Sequence, residues 1–351
     1  MSKKNRVYYI DRLRVLACLA VVMIHVSSLY MANVSNDFNF FVANFFDGLS
    51  RSGVPIFVMI SGALLLDEEH DTSISKMFGR IKKLLCKFII WSIIYSIIYN
   101  VFFCMIRNEQ IKIYNIIYDI IVGHYHLWFI YMLIGLYLII PLLKLWIKKE
   151  NKKEVRYFII LSFVFAFLLP QIIMLINKLY GTFIIGEAIE KAFNVKYVCG
   201  YTMYFILGWY INNFELKKKY IYMLGISGIV CTILGNYFLA LVTCDNSIMF
   251  DNFNVNILFQ SILIFYMVKN NPNKGRFSVR KHITKLSDRS LGIYFIHVII
   301  VDILYMVSSR LGICNSLVGC IIIFVGTVSI SSFIIGIIKK SPRCIIVKHV
   351  I

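Results

Sequence analysis

Long apolar stretches alternate with short basic segments along almost the whole chain. A membrane-spanning helix needs about 20 mainly apolar residues, with a working range of about 17–25. The pattern therefore predicts an all-α membrane protein, a single domain over residues 1–351 folded as a polytopic bundle of about ten transmembrane helices. The predicted spans are Leu13–Met31, Val54–Leu66, Leu84–Ile106, Leu127–Trp146, Tyr157–Ile176, Tyr197–Ile211, Tyr220–Val242, Phe253–Val268, Leu291–Val307 and Leu317–Ile338.

Basic residues fall mainly on one side of these predicted spans. With the amino terminus placed in the cytoplasm, 30 of the 37 Lys and Arg residues lie in cytoplasmic segments. Such an excess of positive charge is typical of cytoplasmic loops. Both termini are therefore predicted to be cytoplasmic, in a multi-pass protein of the cell membrane. The net charge of +19 is then explained by loops facing the lipid surface, and no nucleic-acid partner is predicted.

Composition supports the membrane assignment. Hydrophobic residues make up 59% of the chain and charged residues only 16%, whereas soluble domains have roughly 45–50% and about 25%. These values exclude a soluble globular enzyme and a disordered protein. The nine cysteines form no C-x-x-C pair, so neither a metal site nor a disulfide framework is predicted.

The first helix carries the most informative polar residues. His25 follows Arg14 by eleven residues, which is about three helical turns, so both side chains share one face roughly 16 Å apart. Asp11 lies on nearly the same face, one turn before Arg14. Ionisable residues inside a span are functional by default. The alternatives are that Arg14 is an interfacial anchor and that His25 is a packed, hydrogen-bonded histidine.

Further polar residues occur at several depths in the other predicted spans. Ser61 and Gly62 interrupt the second span, where small residues favour close helix packing. Their distribution suggests a hydrated cavity within the bundle. The other polar residues are His124, His126 and Trp128 at the start of the fourth span, Asn236, Asn254, Asn256 and Gln260 in the seventh and eighth, and His297 and Asp302 in the ninth.

Several of these motifs resemble those of one known family. Asp11, Arg14 and His25 match a D-x-x-R element followed by ten residues and a His, and Phe57 to Gly62 is a variant of F-x-x-S-G with one extra residue. The segment from His126 to Tyr131 is similar to a third motif. The chain thus resembles the acyltransferase-3 family of integral membrane O-acyltransferases, and especially its short, single-module members that modify surface glycans.

The resemblance implies transfer of an acyl group, commonly acetyl from acetyl-CoA, to a hydroxyl of a cell-surface or lipid-linked carbohydrate. In this interpretation His25 is the general base, Arg14 binds donor phosphate and Asp11 orients Arg14. Acetyl-CoA is expected as a co-substrate from the cytoplasm, with no permanently bound cofactor and no metal. A carbohydrate or glycolipid acceptor and membrane lipid complete the expected partners. Candidate donor- or substrate-binding residues are Ser61, His124, His126, Trp128, Glu187 and His297.

A non-enzymatic function remains the alternative. A membrane transporter, flippase or uptake module for a small metabolite or lipid-linked sugar has the same helical pattern. Proton-coupled transporters usually carry carboxylates in several spans. The sequence identifies only Asp302 at middle to outer depth, which favours the enzyme.

Overall fold

The computed structural model describes residues 6–32, 34–107, 110, 112–181, 186, 188, 195–271, 277–313 and 315–340. Within these ranges the secondary structure is helical, with no strand. The fifteen helices used below are α1 Tyr8–Ser28, α2 Phe38–Ser50, α3 Gly53–Leu65, α4 Ile74–Ile97, α5 Cys104–Arg107, α6 Ile113–Val122, α7 Trp128–Trp146, α8 Lys152–Ser162, α9 Leu169–Tyr180, α10 Val195–Asn213, α11 Lys218–Val230, α12 Asn236–Thr243, α13 Val255–Asn270, α14 Phe277–Arg310 and α15 Ser316–Lys340.

Seven stretches in the described residues are long and apolar enough to cross a membrane. They overlap seven of the ten predicted spans, and α1, α10 and α13 correspond to the other three. Charged residues lie in the first turns of α1, and α13 has only 16 residues. The protein is therefore a multi-pass helical membrane protein, while the count of ten spans stays a prediction. The seven are Phe38–Leu65, Ile74–Phe102, Ile113–Trp146, Lys152–Tyr180, Lys218–Thr243, Ser278–Arg310 and Ser316–Lys340.

The second predicted span is longer in the structure than Val54–Leu66. The candidate span covers Phe38–Leu65, because α2 precedes α3 with only a short break between them. The Asp37 side chain caps α2 by accepting a hydrogen bond of 2.7 Å from the Phe40 amide. This stretch also contains Asp47, a fully buried carboxylate that pairs with Arg51. Asp302 is therefore not the only deeply placed carboxylate.

Helices α3 and α10 approach each other closely at two glycines. A Cβ atom on Gly62 would overlap the carbonyl oxygen of Phe205, and one on Gly208 would overlap that of Met59. Larger side chains at these positions would force the two backbones apart. The contact confirms the packing interpretation of Gly62.

Helices α1 and α14 pack side by side and run in the same direction. Asp11 accepts a hydrogen bond of 2.8 Å from Ser287 near the start of α1. Near its end, the His25 ring lies 5.0 Å from the His297 ring, centroid to centroid. The helix that carries Arg14 and His25 is therefore positioned mainly by α14 and by α3.

The amide side chains of the seventh and eighth predicted spans form a structural network instead of lining a hydrated cavity. Asn236 donates to Asn44 at 2.8 Å and to the carbonyl of Asn246 at 2.9 Å. Asn256 donates to Thr232 at 2.8 Å. The amide nitrogens of these buried side chains are paired with other side chains and with backbone atoms, as buried polar groups require, whereas Gln260 Oε1 has no hydrogen-bond partner in the described residues. The remaining members, Asn254 and Gln260, donate to the carbonyls of Ile248 and Leu49.

Candidate active site

The first part of the candidate site is an arginine–aspartate cluster at the start of α1. Arg6 Nη2 donates to Asp11 Oδ1 at 3.0 Å, and Ser287 Oγ donates to the same oxygen at 2.8 Å. Arg6 also pairs with Asp288 at 2.9 Å. The hydrogen bond to Asp11 raises the pKa of the Arg6 guanidinium most, and the hydrogen bond to Asp288 raises it further. Asp11, almost fully buried, is therefore satisfied by Arg6 and Ser287.

Arg14 lies beside this cluster without completing it. Its Nη1 atom is 3.9 Å from Asp11 Oδ1, which is beyond hydrogen-bonding distance. This contact with Asp11 is the ion pair that the described part of the chain shows for Arg14. The side chain is 39% exposed, so most of its donors remain available to a ligand. The suggested orientation of Arg14 by Asp11 stays a prediction, because Asp11 bonds directly to Arg6.

A cavity of about 930 Å³ adjoins the cluster. Its volume lies at the upper end of the range of about 300–1,000 Å³ for small-molecule and cofactor sites. It is at the end of the bundle that the charge pattern predicts to be cytoplasmic. The lining includes Arg6, Asp11, Arg14, Ser61, Arg80 and Tyr137. The structure thus brings Ser61 of α3, a candidate donor- or substrate-binding residue, and Arg14 of α1 to one cavity.

His25 belongs to a second cluster, three turns further along α1. The centroid of its ring lies 5.0 Å from that of His297 and 6.3 Å from that of His126. The rings of His126 and His297 are 5.5 Å apart. Both are buried, with exposed fractions of 3% and 0%. Three histidines from α1, α14 and the turn before α7 therefore converge on one point inside the protein.

His124 and Trp128 flank this histidine cluster. His124 Nδ1 is 3.1 Å from His126 Nδ1, and its ring stacks on Tyr95 with centroids 4.6 Å apart. Trp128 is partly exposed and its ring is 5.8 Å from that of Tyr201. His124 therefore extends the histidine cluster through its contacts with His126 and Tyr95, and Trp128 lies next to Tyr201. Glu187, the remaining candidate, lies outside the described residues.

Three aromatic rings connect the cavity to the histidine cluster. Phe57 lines the cavity, and its ring is 6.1 Å from that of Phe129. Phe129 lies 5.7 Å from Tyr294, whose hydroxyl donates to the His126 carbonyl at 2.7 Å. These contacts link the lining of the cavity to the histidine cluster.

Sequence reasoning missed Tyr125 and Tyr294, which contact the histidines directly. The Tyr125 hydroxyl is 3.3 Å from His25 Nδ1. In an interfacial segment with many aromatic residues, no signal separates a site tyrosine from one of the aromatic belt. Tyr294 lies one turn before His297 on α14, so a search for polar neighbours at helical spacing would have found it.

The described residues contain no group of three or more His, Cys, Asp or Glu side chains arranged to hold a metal ion. The three histidine rings contact one another through their faces and edges at 5.0–6.3 Å between centroids. They are therefore arranged as a packed polar cluster.

The comparisons with known proteins agree with this arrangement. The family model for the acyltransferase-3 domain matches residues 7–336, which include the histidine cluster and, apart from Arg6, the first cluster and the cavity lining. Comparison with curated proteins and with solved structures gave no match. Because the matched region covers nearly the whole chain, the chain belongs to the acyltransferase-3 family, and this membership supports a membrane acyltransferase.

Proposed function

We propose that this protein transfers an acetyl group from acetyl-CoA to a hydroxyl of a cell-surface or lipid-linked carbohydrate. The observation that carries the proposal is the placement of two sites on one helix. Arg14 lines a large cavity at one end of α1, and His25 lies in a buried polar cluster three turns away. A bisubstrate transferase needs such a pair of sites, one for each substrate.

The cavity is suited to the donor. Arginine binds phosphate with a planar set of hydrogen-bond donors, and Arg14 has most of its donors available. Asp11 and Asp288, which also line the cavity, are paired with Arg6. Their negative charge is thereby partly neutralised before an anionic donor arrives. We assign the cavity to the cytoplasmic side, where acetyl-CoA is present, in accordance with the charge pattern of the loops.

The chemistry is acyl transfer with general-base catalysis. His25 accepts the proton of the acceptor hydroxyl as the hydroxyl oxygen attacks the thioester carbonyl carbon. The carbon–sulfur bond then breaks, and the CoA sulfur takes the proton from the His25 imidazolium. The products are an ester and free CoA. The acceptor approaches from the opposite end of the bundle, past His124, His126 and Trp128.

Inside-out membrane vesicles from source cells that overproduce each variant, supplied with [¹⁴C]acetyl-CoA, test the proposal. The measurement is alkali-labile label in the carbohydrate fraction. We expect His25→Ala to abolish transfer. His282→Ala is the matched control, since His282 is an exposed histidine on α14. We also expect Arg14→Ala to raise the donor KM. Arg12→Ala should leave the donor KM unchanged, because the wild-type Arg12 side chain donates to the Asn271 carbonyl. Transfer by His25→Ala at the wild-type rate would refute the mechanism.

A further inference from the structure

The hydrogen bonds of His297 define which ring nitrogen carries its proton. Nδ1 lies 2.7 Å from the carbonyl oxygen of Tyr294 and 3.2 Å from that of Ile293. A carbonyl oxygen only accepts hydrogen bonds, so Nδ1 must be the donor. In the neutral ring Nε2 then has a free lone pair and acts as an acceptor.

This acceptor is buried and has no hydrogen-bond partner in the described part of the chain. His297 has an exposed fraction of 0%, and its Nε2 atom is inaccessible to solvent. Since Nδ1 faces the backbone of α14, Nε2 points away from that helix. Its neighbours are the His25 and His126 rings, at 5.0 Å and 5.5 Å between centroids. An unpaired buried acceptor is costly, and such groups in native proteins call for an explanation.

The reacting hydroxyl alone does not supply the missing donor. Its single proton goes to His25 in the proposed mechanism, so it is not available to His297. A second hydroxyl, adjacent to the first, has its own proton and lies within reach of a second nearby acceptor. Adjacent hydroxyl pairs are the characteristic feature of carbohydrates.

We propose that His25 and His297 together recognise two adjacent hydroxyls of the acceptor, with the first directed to His25 and the second donating a hydrogen bond to His297 Nε2. This inference rests on the proposed function and makes it more specific. The acceptor is then a vicinal diol, and His297 determines which hydroxyl of the sugar is acylated. His297 is a substrate-binding residue that leaves the proton transfer to His25.

Two substitutions of His297 separate this role from a structural one. His297→Asn places an amide nitrogen near the position of Nδ1, so it keeps the bond to the Tyr294 carbonyl and removes the acceptor. His297→Gln places an amide oxygen near the position of Nε2 and restores an acceptor. A purely structural histidine tolerates Asn better than Gln, whereas the proposed role requires the reverse order. His282→Asn is the control, because His282 makes the same type of bond, from Nδ1 to the Ser278 carbonyl at 2.8 Å, on the exposed face of α14.

The experiment uses purified full-length protein in lipid nanodiscs with [¹⁴C]acetyl-CoA. The acceptor probes are methyl glycosides of glucose, galactose, mannose and N-acetylglucosamine, together with the singly deoxygenated analogues of any that react. For the wild type we expect kcat/KM to fall about tenfold or more when the hydroxyl adjacent to the reacting one is removed. For His297→Asn, kcat/KM on the parent sugar should fall by a similar factor. It should fall little further when the adjacent hydroxyl is also removed from the sugar. His297→Gln should recover part of the activity.

The outcomes distinguish failure of this inference from failure of the proposed function. The diol inference is wrong, and the transferase stands, if the wild type acetylates a parent sugar and each singly deoxygenated analogue that keeps the reacting hydroxyl equally well. The same conclusion follows if the kcat/KM of His297→Asn equals that of the wild type. The inference is also wrong if His297→Asn is more active than His297→Gln. If the wild type labels neither a glycoside nor carbohydrate in source membranes, the proposed function itself is wrong and the inference falls with it.

Discussion

The two arginines beside Asp11 are expected to have opposite roles, although both contact the same carboxylate. Arg6 donates hydrogen bonds to both Asp11 oxygens. Arg14 stays 3.9 Å from Asp11 and lines the cavity. Arg6→Ala should therefore reduce the stability of the fold, and Arg14→Ala should weaken donor binding.

The magnitudes follow from these contacts. Loss of Arg6 leaves the buried Asp11 carboxylate with Ser287 as its remaining hydrogen-bond donor, which costs about 1–3 kcal/mol of stability. Loss of Arg14 breaks no hydrogen bond to Asp11, so its effect on stability should be small. If Arg14 makes one charged hydrogen bond to donor phosphate, worth about 1.5–3 kcal/mol, the donor KM should rise about 10- to 150-fold.

The assay measures both properties on the same samples. Thermal unfolding of detergent-purified protein, followed by size-exclusion chromatography, reports stability. Initial rates at increasing acetyl-CoA concentration report the donor KM. Arg12→Ala serves as the control for removal of a positive charge from the same end of α1. An Arg14→Ala protein that unfolds as early as Arg6→Ala and keeps the wild-type donor KM would show that Arg14 is a structural anchor.

Three further predictions follow from contacts elsewhere in the bundle. Gly62→Ala should lower the yield of folded protein, because the new Cβ overlaps the facing backbone. Gly135→Ala should not lower it, since Gly135 has open space around it. Fluorescence-detected chromatography compares the yields of the two variants. Asp47→Ala leaves the Arg51 cation without its carboxylate partner and should lower the stability by about 3–5 kcal/mol. The double variant Asp47→Ala, Arg51→Ala should lose less stability than the two single variants added together, as measured by thermal unfolding. The hydrogen bond from Lys178 lowers the pKa of Asp245. The stabilisation that this bond gives the fold is complete above the unfolded pKa of about 3.9, and it is lost as pH falls through the lower folded pKa. Unfolding midpoints between pH 5 and pH 2 should therefore fall less steeply for Asp245→Asn, and equal slopes would contradict this assignment.

Local periodicity was sufficient to predict the spacing of Arg14 and His25, because both residues lie on one unbroken helix. Ser61 was identified differently, because it interrupts an apolar span and belongs to the Phe57 to Gly62 motif. The convergence of His126 and His297 on His25 depends on how α7 and α14 pack, and helical spacing within one segment carries no such information. Their histidines were therefore recognised as candidates without the geometry that joins them.

The greater length of the second span has a different physical cause. Residues Phe38–Ser50 contain Asn39, Asn44 and Asp47, which lower the apparent hydropathy of a helix in which seven of the 13 residues are buried. These polar groups bond within the protein, with Asn44 donating to the Ile233 carbonyl at 2.8 Å. A hydropathy pattern reports average polarity and does not show which polar groups find partners inside the bundle.

The ties between α1 and α14 have a consequence for changes in chain length. Ser287, Asp288 and Thr284 bind Asp11 and Arg6 at the beginning of α1, and Cys18 contacts the Ser290 carbonyl at 3.7 Å further along. These bonds fix the rotation of α1 about its own axis. One inserted residue between Cys18 and His25 would turn His25 by about 100° and direct its ring away from His297, while Arg14 kept its place. The segment of α1 between Cys18 and His25 is therefore expected not to tolerate insertion or deletion of a single residue.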